Sequence, residues 1–205
     1  MKVILPAGMD LFLLGAKGHD SEVRLARWLI NTLQSGDTFL DVGAHFGYYS
    51  LLASQLVGET GKVVAFEAAP KTFALLEKNV KPYSNILALP KAVSDKVASI
   101  EIYEFPVLYS EYNTLDTKPF EGMEWFKENL PQPTTVPAIS LDFYCQQATI
   151  HPTVIKIDVE GAEGSVLKGL QHRLCFSSPQ LVMEFSQKNF KEHCMENPIE
   201  DQILS

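Results

Sequence analysis

Residues 154–163 read VIKIDVEGAE, an apolar run interrupted by Lys156, Asp158 and Glu160 at every second position. Strand side chains alternate between faces, so the three charges share one side of a sheet while Ile155, Ile157 and Val159 share the other. A charged stripe on a strand that otherwise looks buried points to chemistry. Asp158 and Glu160 can align an oxygen nucleophile and take its proton, and an ammonium at Lys156 would favour the ionised form of a neighbouring carboxylate. The plainer reading is a salt-bridged stripe on a poorly covered strand. A metal site would need more ligands than these two carboxylates.

Two more acids close apolar runs. In FLDVGAHFGYYS (39–50), Asp41 precedes a turn carrying Gly43 and Gly47, and in VVAFEAAP (63–70) the run ends at Glu67. A glycine turn leading from strand to helix presents backbone N–H groups to an anion. A dinucleotide fingerprint counted from Gly43 would need glycines where His45 and Tyr48 stand. The loop suits a ligand with an amino-acid end and no pyrophosphate, and S-adenosylmethionine has that shape. Its ammonium favours a carboxylate such as Asp41, and its own carboxylate favours helix N–H groups. Glu67, at the next strand end, can accept both hydroxyls of a ribose. Capping of the adjoining turns is the plain alternative for both acids. GETGK (58–62) imitates a phosphate loop, but Leu56 and Val63 occupy its required glycine and hydroxyl positions. No G-x-S-x-G or H-E-x-x-H motif is present, which leaves hydrolase readings unsupported.

The elements that must position these residues follow from periodicity. HDSEVRLARWLINTLQSGD reads as a helix capped by Asp20 or Ser21, with Leu25, Trp28, Leu29 and Leu33 on one face and Gly36 stopping it. Then come TFLDVG as a strand, YYSLLASQLV as a buried helix, KVVAFE as a strand, PKTFALLEKNV as a helix opened by Pro70, and NILALPKAVS as a third strand region. This alternation predicts a parallel sheet covered by helices on both faces. ASIEIYEF reads as an antiparallel or edge strand, and residues 106–137 as loops and short helices over the ligand-binding end. SLDFYCQQ is a brief helix, Val166, Leu167, Leu170 and Leu174 form one helical stripe, and QLVMEFS is a last strand. At the start, MKVILPAGMDLFLLGA reads as a strand pair turning at PAG; Pro6 and Asp10 interrupt the apolar centre a signal peptide would need.

The chain has 205 residues, 46% hydrophobic and 20% charged, which suits one α/β domain: residues 1–35 as N-terminal hairpin and helix, 36–186 as cofactor-binding core. Its net charge of -8 and lack of a basic cluster argue against nucleic acid as a partner, and no apolar run is long enough for a membrane helix. Cys145, Cys175 and Cys194 are scattered, which fits free thiols in a reducing compartment, so a cytoplasmic location is expected. His19, His151, His172 and His193 are isolated, and surface or structural roles suit them. Tyr103, Tyr109, Tyr112, Trp125 and Phe126 either wall an acceptor pocket or pack a core or lid.

DVGAHFGYYSLLA, GKVVAFEAAP, AVSD, ISLD and IKIDVEGAE, taken in this order from about Gly36 to Phe185, resemble the FkbM family of S-adenosylmethionine-dependent methyltransferases. The resemblance implies a doubly wound, mostly parallel sheet of the Rossmann-like class I methyltransferase type, here with an N-terminal hairpin and helix and a shortened C-terminus. It implies methylation of a hydroxyl on a small metabolite or sugar. By matched position, Asp41, Gly43 and Gly47 would frame the methionine end, Glu67 would bind the ribose and the segment at Ala92 would border the adenine. Ala44, His45 and Ala68 are expected beside them in the cofactor site, and the charged stripe supplies Asp158 and Glu160 as the catalytic carboxylates. His45 stands where the family often has Asn, and FEAAP lacks the proline usual after the acid. A catalytically silent cofactor- or partner-binding member of the same fold is the competing reading. A nicotinamide-dependent oxidoreductase is disfavoured by the missing glycines.

Overall fold

The structure, a computed structural model, describes residues 1–2 and 20–183, apart from the side chains of residues 107 and 108. The expected N-terminal hairpin, His19, and everything after Met183 lie outside the described residues.

The first half alternates as its periodicity predicts: α1 (Asp20–Thr32), β1 (Thr38–Val42), α2 (Tyr48–Val57), β2 (Lys62–Phe66), α3 (Pro70–Val80) and β3 (Ile86–Leu89). After β4 (Ala92–Val93) and β5 (Ala98–Glu104) come a 3-10 turn (Val107–Tyr112), α4 (Glu124–Glu128) and β6 (Gln132–Ile139). The chain then forms α5 (Leu141–Ala148), β7 (Val154–Ile157), α6 (Glu163–Lys168), α7 (Gln171–Ser177) and β8 (Gln180–Met183).

The main sheet is parallel throughout, in the order β3-β2-β1-β7-β8. Both faces are covered, as a parallel sheet requires. Leu40, Val42, Val64, Phe66, Ile155 and Ile157 pack on one side with Leu141, Val166 and Leu170. On the other side Phe39, Val63 and Val154 meet Leu29 and Leu33 at the end of the first helix and Ala53 and Val57 of α2. The alternation places Asp41 and Lys156 on this second face, where the β1–β7 register makes them neighbours across the strands. Among the described residues, no helix is long and apolar enough to cross a membrane.

Three expectations need correction. NILALPKAVS is not one strand: Pro90 and Lys91 separate β3, in the main sheet, from β4, which pairs with β6 in a second sheet ordered β4-β6-β5. Within 106–137 the short helices appear, but β6 was expected to be loop. Pro133 and Pro137 hid it; they share a parity, so their missing N–H groups lie on one edge and the alternate bonds survive. The single helical stripe at 166–174 is two helices broken at Gly169. A Cβ there would lie 2.1 Å from the Ser94 carbonyl oxygen and 3.0 Å from Ser140 Cβ, while the Gly169 carbonyl accepts the Asp142 N–H at 2.8 Å. That junction is a backbone-to-backbone contact and leaves no space for a side chain. Gly169→Ala should therefore destabilise the chain by about 1–3 kcal/mol through overpacking. Urea unfolding checks this, and a parental midpoint would show that the junction yields.

Candidate functional site

The carboxyl ends of β1, β2 and β7 lie along one edge of the sheet because the strands are parallel and in register. Here the charged stripe resolves. Lys156 is 2% exposed, and its ammonium donates to Asp41 Oδ1 at 3.1 Å and to the Gly43 carbonyl at 3.1 Å, with Asp158 Oδ2 at 3.2 Å. Three donors meet three acceptors. Burial alone would lower the amine's pKa, but Asp158 and Asp41 outweigh it and hold that pKa above its ordinary value. The Tyr49 ring lies 5.3 Å from the ammonium, and burial first, then Glu22 and Asp158, raise its phenol pKa.

Asp41 is fully buried and accepts the Ser50 hydroxyl on its second oxygen at 2.6 Å. This acid therefore sits behind the turn, bonded to Lys156 and Ser50. Gly43, Gly47 and His45 all adopt positive φ. At Gly43 the need for glycine is absolute, since a Cβ would lie 1.8 Å from the Asp158 carbonyl oxygen. The Phe66 carbonyl accepts both the Gly43 and Ala44 N–H groups, which pins the turn to the end of β2.

Glu67 is 8% exposed; Oε2 accepts the His45 N–H at 2.8 Å and Oε1 the Ala69 N–H at 3.0 Å. Burial pushes its pKa up from 4.5 to about 7, against the pull of those two N–H groups and Lys156. Each oxygen retains capacity for a further donor.

A cavity of about 320 Å³ opens over these strand ends. Gly43, Ala44, His45, Glu67, Ala68, Ala92, Asp158 and Glu160 all line it; Asp41 and Gly47 do not. Asp158, with 41% of its side chain exposed, is the member of the stripe that both touches Lys156 and reaches the cavity. The residues present fit a nucleoside with a polar tail: a buried carboxylate with spare acceptor capacity, a glycine turn, and the apolar Ala68, Ala92 and Val93 in the lining.

Sequence reasoning placed residues 106–137 over this end of the sheet but missed the contacts that tie the cover down. Thr114 donates its hydroxyl to the Glu160 carbonyl at 2.8 Å and forms a bridge with it, tying the segment after β5 to the end of β7. His45 Nε2 lies 3.1 Å from Ser110 Oγ, a second tie across the cavity. Neither Thr114 nor Ser110 carries a local signal, since both contacts join distant segments. Of the aromatic set, Tyr112 lines the cavity, while Trp125 stacks on Tyr109 (4.7 Å, 6°) and Tyr112 (5.1 Å). Tyr109, Tyr112, Trp125 and Phe126 form a packed cap with one member at the wall. Among the described residues, no group of three or more His, Cys, Asp and Glu side chains is arranged to hold a metal ion.

A family model described as the methyltransferase FkbM domain matches residues 41–204. The chain is 27% identical over 160 residues to the hexuronic acid methyltransferase AglP of Haloferax volcanii, covering 77% of this chain and 59% of that protein. It is 33% identical over 113 residues to a protein of Sulfolobus acidocaldarius named as a probable cobalt-precorrin-6B C(15)-methyltransferase (decarboxylating), covering 54% of this chain and 53% of that one. The chain thus spans between half and three fifths of the length of these curated relatives. The crystal structure of a methyltransferase FkbM from Methylobacillus flagellatus KT shares the fold, with TM-score 0.55 and 15% identity over 86% of this chain and 44% of that one.

The buried cluster generates a stability prediction. Lys156→Met removes the cation and leaves Asp41 charged in a fully buried site, a loss of about 3–5 kcal/mol. Adding Asp41→Asn removes the stranded charge and should recover most of that loss. Denaturant unfolding of the two variants checks the difference; equal stabilities would mean that Asp41 is not left as a costly buried charge when Lys156 is removed.

Proposed function

The chain belongs to the FkbM methyltransferase domain family, and on that footing we propose that it transfers a methyl group from S-adenosylmethionine to a hydroxyl oxygen of a sugar or small metabolite. The observation that carries this reading is the meeting of Glu67 and Asp158 in one cavity, from the ends of two parallel strands. Bound there, the cofactor supplies an electrophilic methyl group on a sulfonium sulfur. The chain's own residues do the rest. Glu67 accepts the ribose hydroxyls, Ala68 and Ala92 flank the nucleoside, and the turn from Gly43 to Gly47 frames the amino-acid end. Asp158 orients the acceptor O–H and receives its proton, and Glu160, beside Gly161, lines the same cavity. An oxygen acceptor is favoured because a hydroxyl must lose a proton when it is methylated and a carboxylate stands where that proton can go. The hexuronic acid named for the Haloferax relative is compatible with a sugar acceptor.

Two measurements test this. The raised pKa of Glu67 means that the folded chain keeps a proton which the unfolded chain releases between pH 4.5 and about 7. Its contribution to stability therefore falls as pH rises through that window. Ribose hydroxyls donate to the ionised form, so cofactor affinity should weaken about tenfold per unit as pH falls below 7. Glu67→Ala should bind the cofactor about 1–3 kcal/mol more weakly and lose that pH dependence. Calorimetry at pH 6 and 8 decides, and parental binding by a folded variant removes Glu67 from the cofactor site. Asp158→Asn preserves shape and leaves the Lys156–Asp41 pair intact. It should lower turnover by about 10²–10⁴-fold with cofactor affinity little changed. A variant with a parental melting curve and parental turnover on an identified acceptor would exclude Asp158 from the reaction.

A further inference from the structure

A second cavity, of about 350 Å³, lies on the other side of Asp158. It shares Glu22, Tyr49 and Asp158 with the first and is closed by the first helix and the ends of β7 and β8. Ser21, Arg24, Leu25 and Trp28 all face it, at the spacing of one helical side. Leu25 and Trp28 also pack on the core beneath, so that side of the helix is seated on the sheet. Arg24 belongs to the same side yet is exposed, and among the described residues no hydrogen bond or ion pair engages its guanidinium. The core-facing side of a helix carries an unengaged cation at the mouth of a cavity.

The two volumes divide the ligands. The first cavity is at the low end for one small-molecule ligand, and every lining residue assigned to the nucleoside lies in it, so the cofactor fills it. A methyl acceptor must then reach Asp158 from elsewhere, and the second cavity shares that residue. Building on the methyl-transfer reading, we propose that the second cavity is the acceptor site, that Trp28 takes a sugar ring and that Arg24 binds a carboxylate on it. Trp28 offers a large, rigid apolar surface with a polar edge, suited to the C–H face of a pyranose. A guanidinium grips a carboxylate through two parallel N–H donors, and such a contact selects a sugar acid over a neutral sugar. Lys156, the other cation in this cavity, is committed to Asp41, Gly43 and Asp158, which leaves Arg24 to read the acid. In this arrangement the Tyr109–Trp125 cap serves the cofactor side, and the specificity of the acceptor resides in the first helix.

The test is a binding experiment that needs no turnover. The full chain is saturated with S-adenosylhomocysteine and titrated with D-glucuronate and D-glucose, read by calorimetry and ligand-observed NMR. Glucuronate should bind more tightly than glucose, and Arg24→Glu, a change at an exposed position, should weaken glucuronate at least tenfold. The melting curve and the affinity for S-adenosylhomocysteine should stay parental. Trp28→Leu, which keeps an apolar side chain in the core, should weaken both sugars. No glucuronate binding, or equal binding by Arg24→Glu, overturns the proposal, as does a loss that follows Tyr112→Ala instead. If S-adenosylhomocysteine itself fails to bind, the methyl-transfer reading falls and this inference falls with it. If it binds and Arg24 has no effect, only the acceptor site is wrong.

Discussion

The Lys156 ammonium is the interaction on which the rest of the site depends. A fully desolvated lysine is tolerated only when its charge is matched and its donors are used, and here two carboxylates and one carbonyl do both. Each partner belongs to a different part of the site. Asp41 is within β1, Gly43 opens the turn toward α2, and Asp158 stands where β7 meets the cavity. A single cation thus fixes the spacing between the turn and the strand-end carboxylate. Stability alone would not call for this arrangement, since a well-packed apolar pair could replace Lys156 and Asp41 at little or no loss. What an apolar pair could not do is hold the half-exposed Asp158 in place.

The close approach at Gly43 follows from the same geometry. β1 and β7 are adjacent and parallel, so the chain leaving β1 must pass the chain leaving β7, and the Asp158 carbonyl occupies the space where a Cβ would point. Asp158 in turn donates its N–H to the Val42 carbonyl at 3.0 Å, extending the ladder past the last paired residue. Glycine, carboxylate and cation are parts of one packing solution. The cover over it is held differently, through Thr114 to Glu160 and His45 to Ser110. These are neutral hydrogen bonds, each contributing about 1 kcal/mol net, where the floor is locked by buried charge.

Much of this was legible in the sequence. The alternation from α1 to β3 carried strong periodicity and correct punctuation, and the period-two charges at 156–160 identified the strand that matters. The glycine turn and Glu67 were visible because strand-end acids and glycines are local signals. What escaped depended on contacts between segments far apart in the chain. Asp41 looked like a ligand-facing acid because nothing near it names a partner; the partner, Lys156, is 115 residues away. β6 escaped because its prolines read as loop, although its neighbours tolerate them. The break at Gly169 escaped because a stripe of Val166, Leu167, Leu170 and Leu174 fits one helix as well as two. Ser94, whose carbonyl leaves no room for a Cβ at Gly169, follows β4 and is far away in the chain.

The balance of charge around Asp158 bears on the proposed chemistry. Two carboxylates around one ammonium leave one net negative charge, shared between the buried Asp41 and the half-exposed Asp158. Methyl transfer from a sulfonium neutralises a positive charge, so an uncompensated pair of carboxylates would hold the charged reactant more tightly than the transition state and slow the reaction. Lys156 offsets that excess. It does so while held to Asp41 and the Gly43 carbonyl, so the half-exposed Asp158 still stands where a proton must be received. Placing the cation in the floor and the anion at the surface reconciles two demands on one strand end: a field close to neutral and a local acceptor for a proton.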